Sequence, residues 1–151
     1  MKKVLLVVIG SIWFFACDKN ETAAEITVAD SETIKSTMVS GQWRVSYYVD
    51  SDKDETSDYA GYSFTFNADG VLSTTDGNSS LSGAWSVTDS SSSDNNDNKS
   101  DVDFNIIFNG SDLFEELSDD WEIVNYSETE IELVDDSGGN GTTDYLTFVK
   151  M

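Results

Sequence analysis

The chain has 151 residues, enough for one domain, and its 29 acidic and 8 basic residues give a formal net charge of −21. Affinity for nucleic acid depends on neutralising phosphates with Lys and Arg, so this charge argues against a nucleic-acid partner. With no histidine and one cysteine, the chain cannot build a Ser-His-Asp triad, a histidine-ligated zinc site or an internal disulfide. We therefore expect no enzymatic activity, no cofactor and no metal centre.

Residues 1–16 are typical of an export signal. Two lysines follow the first methionine, and the next thirteen residues, from Val4 to Ala16, are apolar or small. That length suits the core of a signal peptide and falls short of the roughly 20 residues that span a bilayer. The segment ends in "FFAC", which places the small residue Ala16 directly before the chain's one cysteine, Cys17.

This boundary resembles the signal of bacterial lipoproteins, in which a small residue precedes a lipidated cysteine. The resemblance implies cleavage before Cys17, palmitate-type acylation there, and the membrane as a partner through the lipid anchor. Each buried methylene contributes about 0.8 kcal/mol, so two or three acyl chains would hold the protein firmly. Phe14 and Phe15 depart from the usual pattern of this signal. The alternative is an ordinary secretory signal with an incidental cysteine.

Residues 17–36 are predicted to form a flexible tether and part of a short helix. The polar sequence after the cysteine lacks strand alternation, as is typical of a linker. Its acidic residues resemble the surface-export signal of lipoproteins from Bacteroidetes-type bacteria. This resemblance implies lipid anchoring in the outer membrane, with the domain facing either the cell surface or the periplasm.

A short helix is predicted in "DSETIKSTMVSG". Asp30 or Ser31 would cap its start, and Gly41 would end it. Ile34 and Met38 would share one helix face.

Residues 37–151 are predicted to form one all-β domain, because apolar and polar residues alternate with a period of two. The eight predicted strands are "QWRVSYYVD", "GYSFTFNAD", "GVLSTTDG", "LSGAWSVTD", "VDFNIIFNG", "WEIVNYS", "TEIELVDD" and "DYLTFVKM". "DLFEELSDD" is predicted as a helical turn, and "TDSSSSDNNDNKSD" as a low-complexity loop. Since each strand has one apolar face, we expect an eight-stranded antiparallel up-and-down barrel, wide enough for side chains or one small ligand. In the first strand, one face would carry Trp43, Val45, Tyr47 and Val49.

Three similar segments each contain a tryptophan: "VSGQWRV" (39–45), "LSGAWSV" (81–87) and "LSDDWEI" (117–123). We interpret each as a turn leading into a strand, with the indole filling an end of the barrel. A ligand-facing role for one or more indoles is the alternative.

The order of "GQW", "YSFTFNADGVLSTT", "LSGAWSV" and the final "YLTFVK" resembles the lipocalin-like lipoproteins of Bacteroidetes, over residues 37–151. The resemblance implies an eight-stranded barrel with a cavity for a small apolar molecule. Lipocalins typically place an arginine from a late strand over the first-strand tryptophan. The chain's single arginine is Arg44, in the first strand itself, so only Lys150 could take that place.

Two functions remain open from the sequence. The first is a lipid-anchored barrel that binds a small apolar or aromatic-stacking ligand. Its candidate contacts are Trp43, Tyr47, Phe64, Trp85, Phe104 and Trp121. The second is a non-enzymatic structural or interaction module with a filled core, whose acidic exterior meets another envelope protein.

Two further features carry weaker hypotheses. The acidic segment from Asp50 to Asp58 lacks the glycine and glutamate positions of an EF-hand, so we interpret it as a solvated loop, with an irregular calcium site as the alternative. Tyr47, Tyr48, Tyr59 and Tyr62 could stack on a sugar or line a pocket mouth, or could simply fill the core.

Overall fold

The computed structural model describes residues 26–89, 102–136 and 142–151. The predicted signal peptide, Cys17, the tether up to residue 25 and most of the low-complexity loop lie outside the described residues. The described elements are α1 (Val28–Met38), β1 (Trp43–Asp50), β2 (Lys53–Asp54), a 3-10 helix (Thr56–Tyr59), β3 (Ser63–Phe66), β4 (Val71–Thr75), β5 (Ser80–Asp89), β6 (Val102–Ile107), α2 (Asp112–Glu115), β7 (Asp120–Tyr126), β8 (Glu130–Asp135) and β9 (Asp144–Lys150).

Eight of these strands close into one antiparallel barrel, which confirms the predicted fold class. From β3 to β9 each strand pairs with the next one in the chain, and β9 pairs with β1 to close the sheet. The short β2 pairs with the end of β1 through a turn at Ser51 and Asp52, both with positive φ. The seam between β1 and β3 is narrow, since it consists of the single pair Trp43↔Phe64.

The first strand departs from regular alternation. A bulge between Val45 and Tyr47 shifts the register of β1 against β9. An extra residue in one strand turns the following side chains over, so Tyr48 is buried and Tyr47 is 44% exposed. The prediction that Tyr47 shares the inner face of Trp43 was therefore wrong.

Helix α1 packs against the barrel through Ile34 and Met38, which share a buried face as predicted. Its N-cap is Thr27, three residues before Asp30, the first of the two expected caps, so the helix begins at Val28. The Asp30 carboxylate accepts hydrogen bonds from the Thr27 amide at 2.8 Å and from the Thr27 hydroxyl at 2.7 Å. Asp30 is thus the third residue of a capping box rather than the cap itself. The helix ends at Met38, before the predicted Gly41.

Helical segments lie at both ends of the barrel. α1 precedes the start of β1, and Tyr126, at the end of β7, donates a 2.7 Å hydrogen bond to Asp30. α2 follows β6 at the opposite end, where the Tyr59 hydroxyl of the 3-10 helix donates to the Leu113 carbonyl at 2.8 Å. Within the described ranges, no helix is long and apolar enough to cross a membrane.

Candidate functional site

Five of the six predicted ligand contacts face the barrel interior. Each is at most 7% exposed: Trp43, Phe64, Trp85, Phe104 and Trp121. The sixth, Tyr47, lies on the outer face of the sheet because of the β1 bulge. The structure therefore brings five of these side chains into one core, and whether they contact a ligand stays a prediction.

Phe66 occupies the centre of this core, although the sequence analysis did not single it out. Its ring centroid lies 5.2 Å from that of Trp85, 5.7 Å from Phe104 and 5.5 Å from Phe148, each in an edge-to-face arrangement. Such pairs contribute about 0.5–1.5 kcal/mol beyond the burial of their area. The alternation of "YSFTF" was the available signal, since it places Phe66 on the same face as Phe64.

All three described indoles donate a hydrogen bond to a main-chain carbonyl. Trp43 donates to Met38 at 2.9 Å, Trp85 to Asn67 at 2.9 Å, and Trp121 to Leu117 at 3.1 Å. These bonds satisfy the polar atom of a buried ring and connect barrel strands to the segments that cover the ends. This geometry fits the interpretation of the indoles as filling the barrel ends.

The repeated tryptophan segments are less alike than the sequence suggests. Trp43 and Trp121 do lie at the start of their strands. Gly83 and Trp85, by contrast, lie inside β5, which agrees with the predicted strand "LSGAWSVTD" but not with the interpretation of this segment as a turn leading into a strand. A glycine is needed at position 83 because β5 and β6 approach closely there: a Cβ atom would lie 2.3 Å from the Ile107 carbonyl oxygen of β6.

Lys150 takes the position that the lipocalin resemblance assigns to a cation. Its Nζ atom lies 5.7 Å from the centroid of the Trp43 ring, and it donates a 2.7 Å hydrogen bond to the Ser40 hydroxyl. A cation at that distance is attracted by the negative face of the indole. Trp43 is thus covered by the last strand of the barrel.

Phe114 of α2 covers the other end of the barrel. Its ring centroid lies 5.0–6.1 Å from the ring centroids of Tyr59, Tyr62, Phe64 and Phe108. The Tyr48 hydroxyl donates a 2.7 Å hydrogen bond to the Glu116 carbonyl, which connects β1 to the end of α2. Of the four tyrosines proposed for a pocket mouth, Tyr48 and Tyr59 are therefore buried under this cover and Tyr47 is elsewhere. Tyr62 alone is half-buried at the rim.

Two tyrosines and one glutamate at this end have pKa values shifted toward their neutral forms. Burial raises the pKa of Tyr48 and of Tyr59 well above the usual range. Partial burial and, next, the neighbouring Glu55 carboxylate raise the pKa of Glu116. Glu55 is itself buried and forms an ion pair with Lys53. Across the described segments, no group of three or more potential metal ligands is present.

The grooves lined by described residues include three that lie at the rim or outside of the barrel. One of about 540 Å³ runs between α1 and β5, and one of about 340 Å³ borders the seam beside Arg44. A smaller pocket of about 190 Å³ lies where α2 meets the hairpin between β4 and β5. We call it the rim pocket, and its main lining residues are Tyr62, Thr74, Ser80, Leu81, Ser111 and Phe114.

Comparison with known proteins leaves the chain without an assigned family. No protein-family model matches it, and no curated protein matches it. Among solved structures it is similar to a DUF4847 family protein from Bacteroides vulgatus ATCC 8482, with 17% identity and a TM-score of 0.47. That likeness covers 77% of this chain and 96% of the other.

Proposed function

We propose that this protein is a non-enzymatic, lipid-anchored envelope module whose barrel is a rigid scaffold for interactions at its acidic surface. The observation that supports this proposal is the aromatic filling of the barrel. Seven large aromatic side chains are buried: Trp43, Phe64, Trp85, Phe104, Phe108, Trp121 and Phe148. The burial of these rings, together with the edge-to-face contacts that Phe66 makes with Trp85, Phe104 and Phe148, favours the filled-core function over an apolar ligand held inside the barrel.

The membrane anchor of the proposal rests on the sequence around Cys17. Eight residues separate Cys17 from Ile26, the first described residue. A chain of that length spans at most about 30 Å, so a lipid on Cys17 would keep the barrel close to the membrane surface. An acidic surface at that position suits a partner that presents basic groups.

Replacement of Cys17 tests the anchor. We expect Cys17→Ser to move the protein from the membrane to the soluble fraction, because no acyl chain can then be attached. Mass spectrometry of the unaltered protein should show acyl mass on Cys17, and Asp18→Asn, which leaves the cysteine in place, should stay in the membrane. Membrane retention of the Cys17→Ser protein would show that the anchor is wrong.

A cavity-creating variant tests the filled interior. Phe66→Ala removes the central ring, and such a change typically costs about 3–5 kcal/mol of unfolding free energy and leaves an apolar cavity that can bind benzene. We expect saturable benzene binding by NMR in Phe66→Ala and none in the wild-type barrel. Phe66→Leu is the milder variant, should Phe66→Ala unfold. Saturable binding of benzene inside the wild-type barrel would instead favour the ligand-binding function.

A further inference from the structure

We propose that the rim pocket binds one uncharged sugar ring, through the ring face of Tyr62 and the hydroxyl groups of Thr74, Ser80 and Ser111. This proposal goes beyond the scaffold function and does not depend on the membrane anchor. It rests on an unpartnered buried hydroxyl, on the chemistry of the lining side chains and on the rigidity of the two walls.

Thr74 supplies the observation that points to a ligand. Its side chain faces inward from β4, between Phe64 on β3 and Leu81 on β5, and the residue is 2% exposed. The Thr74 Oγ1 atom is buried and has no hydrogen-bond partner. A buried hydroxyl without a hydrogen-bond partner lowers the stability of the folded protein by about 1–3 kcal/mol. A ligand that forms a hydrogen bond with the Thr74 hydroxyl would remove this cost.

The other lining groups fit a hydroxylated and uncharged ligand. The side-chain hydroxyls of Ser80 and Ser111 make no hydrogen bond with the described part of the chain. A hydroxyl both donates and accepts, as do the hydroxyls of a sugar. No charged side chain lines the pocket. Asp112 is the next residue after Ser111, and its carboxylate would repel an acidic sugar.

The arrangement of the aromatic rings excludes a flat ligand clamped between two parallel ring faces. The rings of Tyr62 and Phe114 are 5.0 Å apart and meet at 89°. Perpendicular rings cannot clamp a flat molecule between two parallel faces. The half-buried Tyr62 lines the pocket, and the proposal places its ring face against the C–H side of the sugar. The volume of about 190 Å³ equals roughly six waters. It lies below the size of pockets for drug-sized ligands, about 300–1,000 Å³, and so admits one ring rather than an acyl chain.

Both walls of the rim pocket are held in place without a ligand. In the hairpin, the Asp76 carboxylate accepts hydrogen bonds from the amides of Asn78 at 2.9 Å and Ser79 at 2.7 Å. At α2, the Glu115 carboxylate accepts one from the Gly110 amide at 2.8 Å. A preformed site loses little entropy on binding. With a single stacked ring and a few hydroxyl contacts, we expect dissociation constants in the millimolar range.

The test is a titration of the isotope-labelled full chain with glucose, galactose and N-acetylglucosamine, followed by NMR. We expect at least one of these sugars to give saturable shifts at the amides of residues 62, 74, 80 and 111. Thr74→Val keeps the side-chain shape and should weaken binding at least fivefold. Because it removes an unpartnered hydroxyl, it should leave the urea midpoint equal or higher, which separates lost binding from lost folding.

Control variants and control ligands make the result decisive. Tyr62→Ala should abolish binding, whereas Tyr145→Ala, which removes a 44% exposed tyrosine from the outer face of β9, should leave it unchanged. Glucuronate should bind more weakly than glucose. No shift with any neutral sugar up to 100 mM would mean that the pocket holds water only and would overturn the proposal. Unchanged binding in Thr74→Val, or preferential binding of adenine or decanoate at these amides, would overturn it as well.

Discussion

The stability of this barrel depends on pH through one partly buried carboxyl group, that of Asp119. It directly precedes β7, where its carbonyl accepts a 2.9 Å hydrogen bond from the Ile106 amide and its carboxylate accepts a 2.8 Å bond from the Asp120 amide. Burial raises the pKa of Asp119 to about 6, against an ordinary value of 3.8. The folded protein therefore binds this proton more tightly than the unfolded chain does.

We predict that Asp119→Asn stabilises the protein at neutral pH. Since the folded pKa is the higher one, the stabilisation by protonated Asp119 is complete below about pH 4 and is lost as the pH rises through about 6. Asparagine keeps the Oδ1 acceptor without the buried charge. Because the side chain is partly open to solvent, we expect a gain of only about 1 kcal/mol at pH 7.

Urea unfolding of Asp119→Asn and wild type at pH 4, 5, 6 and 7 measures this difference. The gap between the two unfolding free energies should close below pH 4. Asp112→Asn, on the exposed side of α2, is the matched control and should give no comparable gain. A gap that stays constant across this range would mean that the ionisation of Asp119 is unrelated to stability.

At the scale of elements, the barrel strands could be predicted because side chains on a half-buried strand alternate with a period of two. The β1 bulge could not be predicted in the same way. Trp43, Val45, Tyr47 and Val49 alternate perfectly in sequence, and only the pairing of β1 with β9 turns Tyr48 inward. The acidic segment from Asp50 to Asp58 was interpreted as a hairpin loop, and the short strand β2 within it was not predicted, because its residues are charged and no apolar period marks it.

The candidate site was harder to predict than the fold for a related reason. In "GVLSTTDG", Thr74 looks like an ordinary polar strand residue, and its burial depends on which face the closed barrel turns inward. Phe114 lies in a four-residue helix, too short for any helical period to show which side of it is covered. Tyr62 was named with three other tyrosines because all four lie near one end of the first two predicted strands, and the structure then distinguishes it from the other three by its half-buried position at the rim.

The close approach of β5 and β6 leads to a prediction at this scale. An added Cβ atom at Gly83 would lie 2.3 Å from the Ile107 carbonyl oxygen and 2.6 Å from Cδ1 of Phe108. Neither group can move freely, because one is main chain in β6 and the other is a buried ring. We expect Gly83→Ala to lower the unfolding free energy by about 2–3 kcal/mol.

Gly41→Ala is the matched control for Gly83→Ala. A Cβ atom at Gly41 would meet the Lys150 side chain at 2.8 Å, and that contact is with a flexible end that can swing away. We expect its cost to stay below about 1 kcal/mol. Equal urea midpoints for the two variants would show that the strand approach at Gly83 is not a constraint on the barrel.

At the scale of the whole molecule, charge is the dominant feature. The formal net charge is −21, and it becomes more negative when the predicted signal with its two lysines is removed. Ion pairs between described residues include Lys35–Glu32 and Lys53–Glu55, against a large excess of carboxylates in the sequence. Self-repulsion of this kind destabilises a compact state, because folding brings the like charges closer together.

We predict that salt stabilises this protein. Raising the salt from 10 to 150 mM shortens the screening length from about 30 Å to about 8 Å, which removes most of the repulsion between separated carboxylates. We expect the unfolding free energy at pH 7 to rise by about 1 kcal/mol, as measured by urea unfolding. NaCl and KCl should act equally, because screening depends on ionic strength rather than on the ion. CaCl₂ at matched ionic strength should give a gain of similar size. A much larger gain with calcium would indicate bound calcium ions. An unfolding free energy that stays constant or falls as NaCl is added would show that charge repulsion does not limit the stability of this protein.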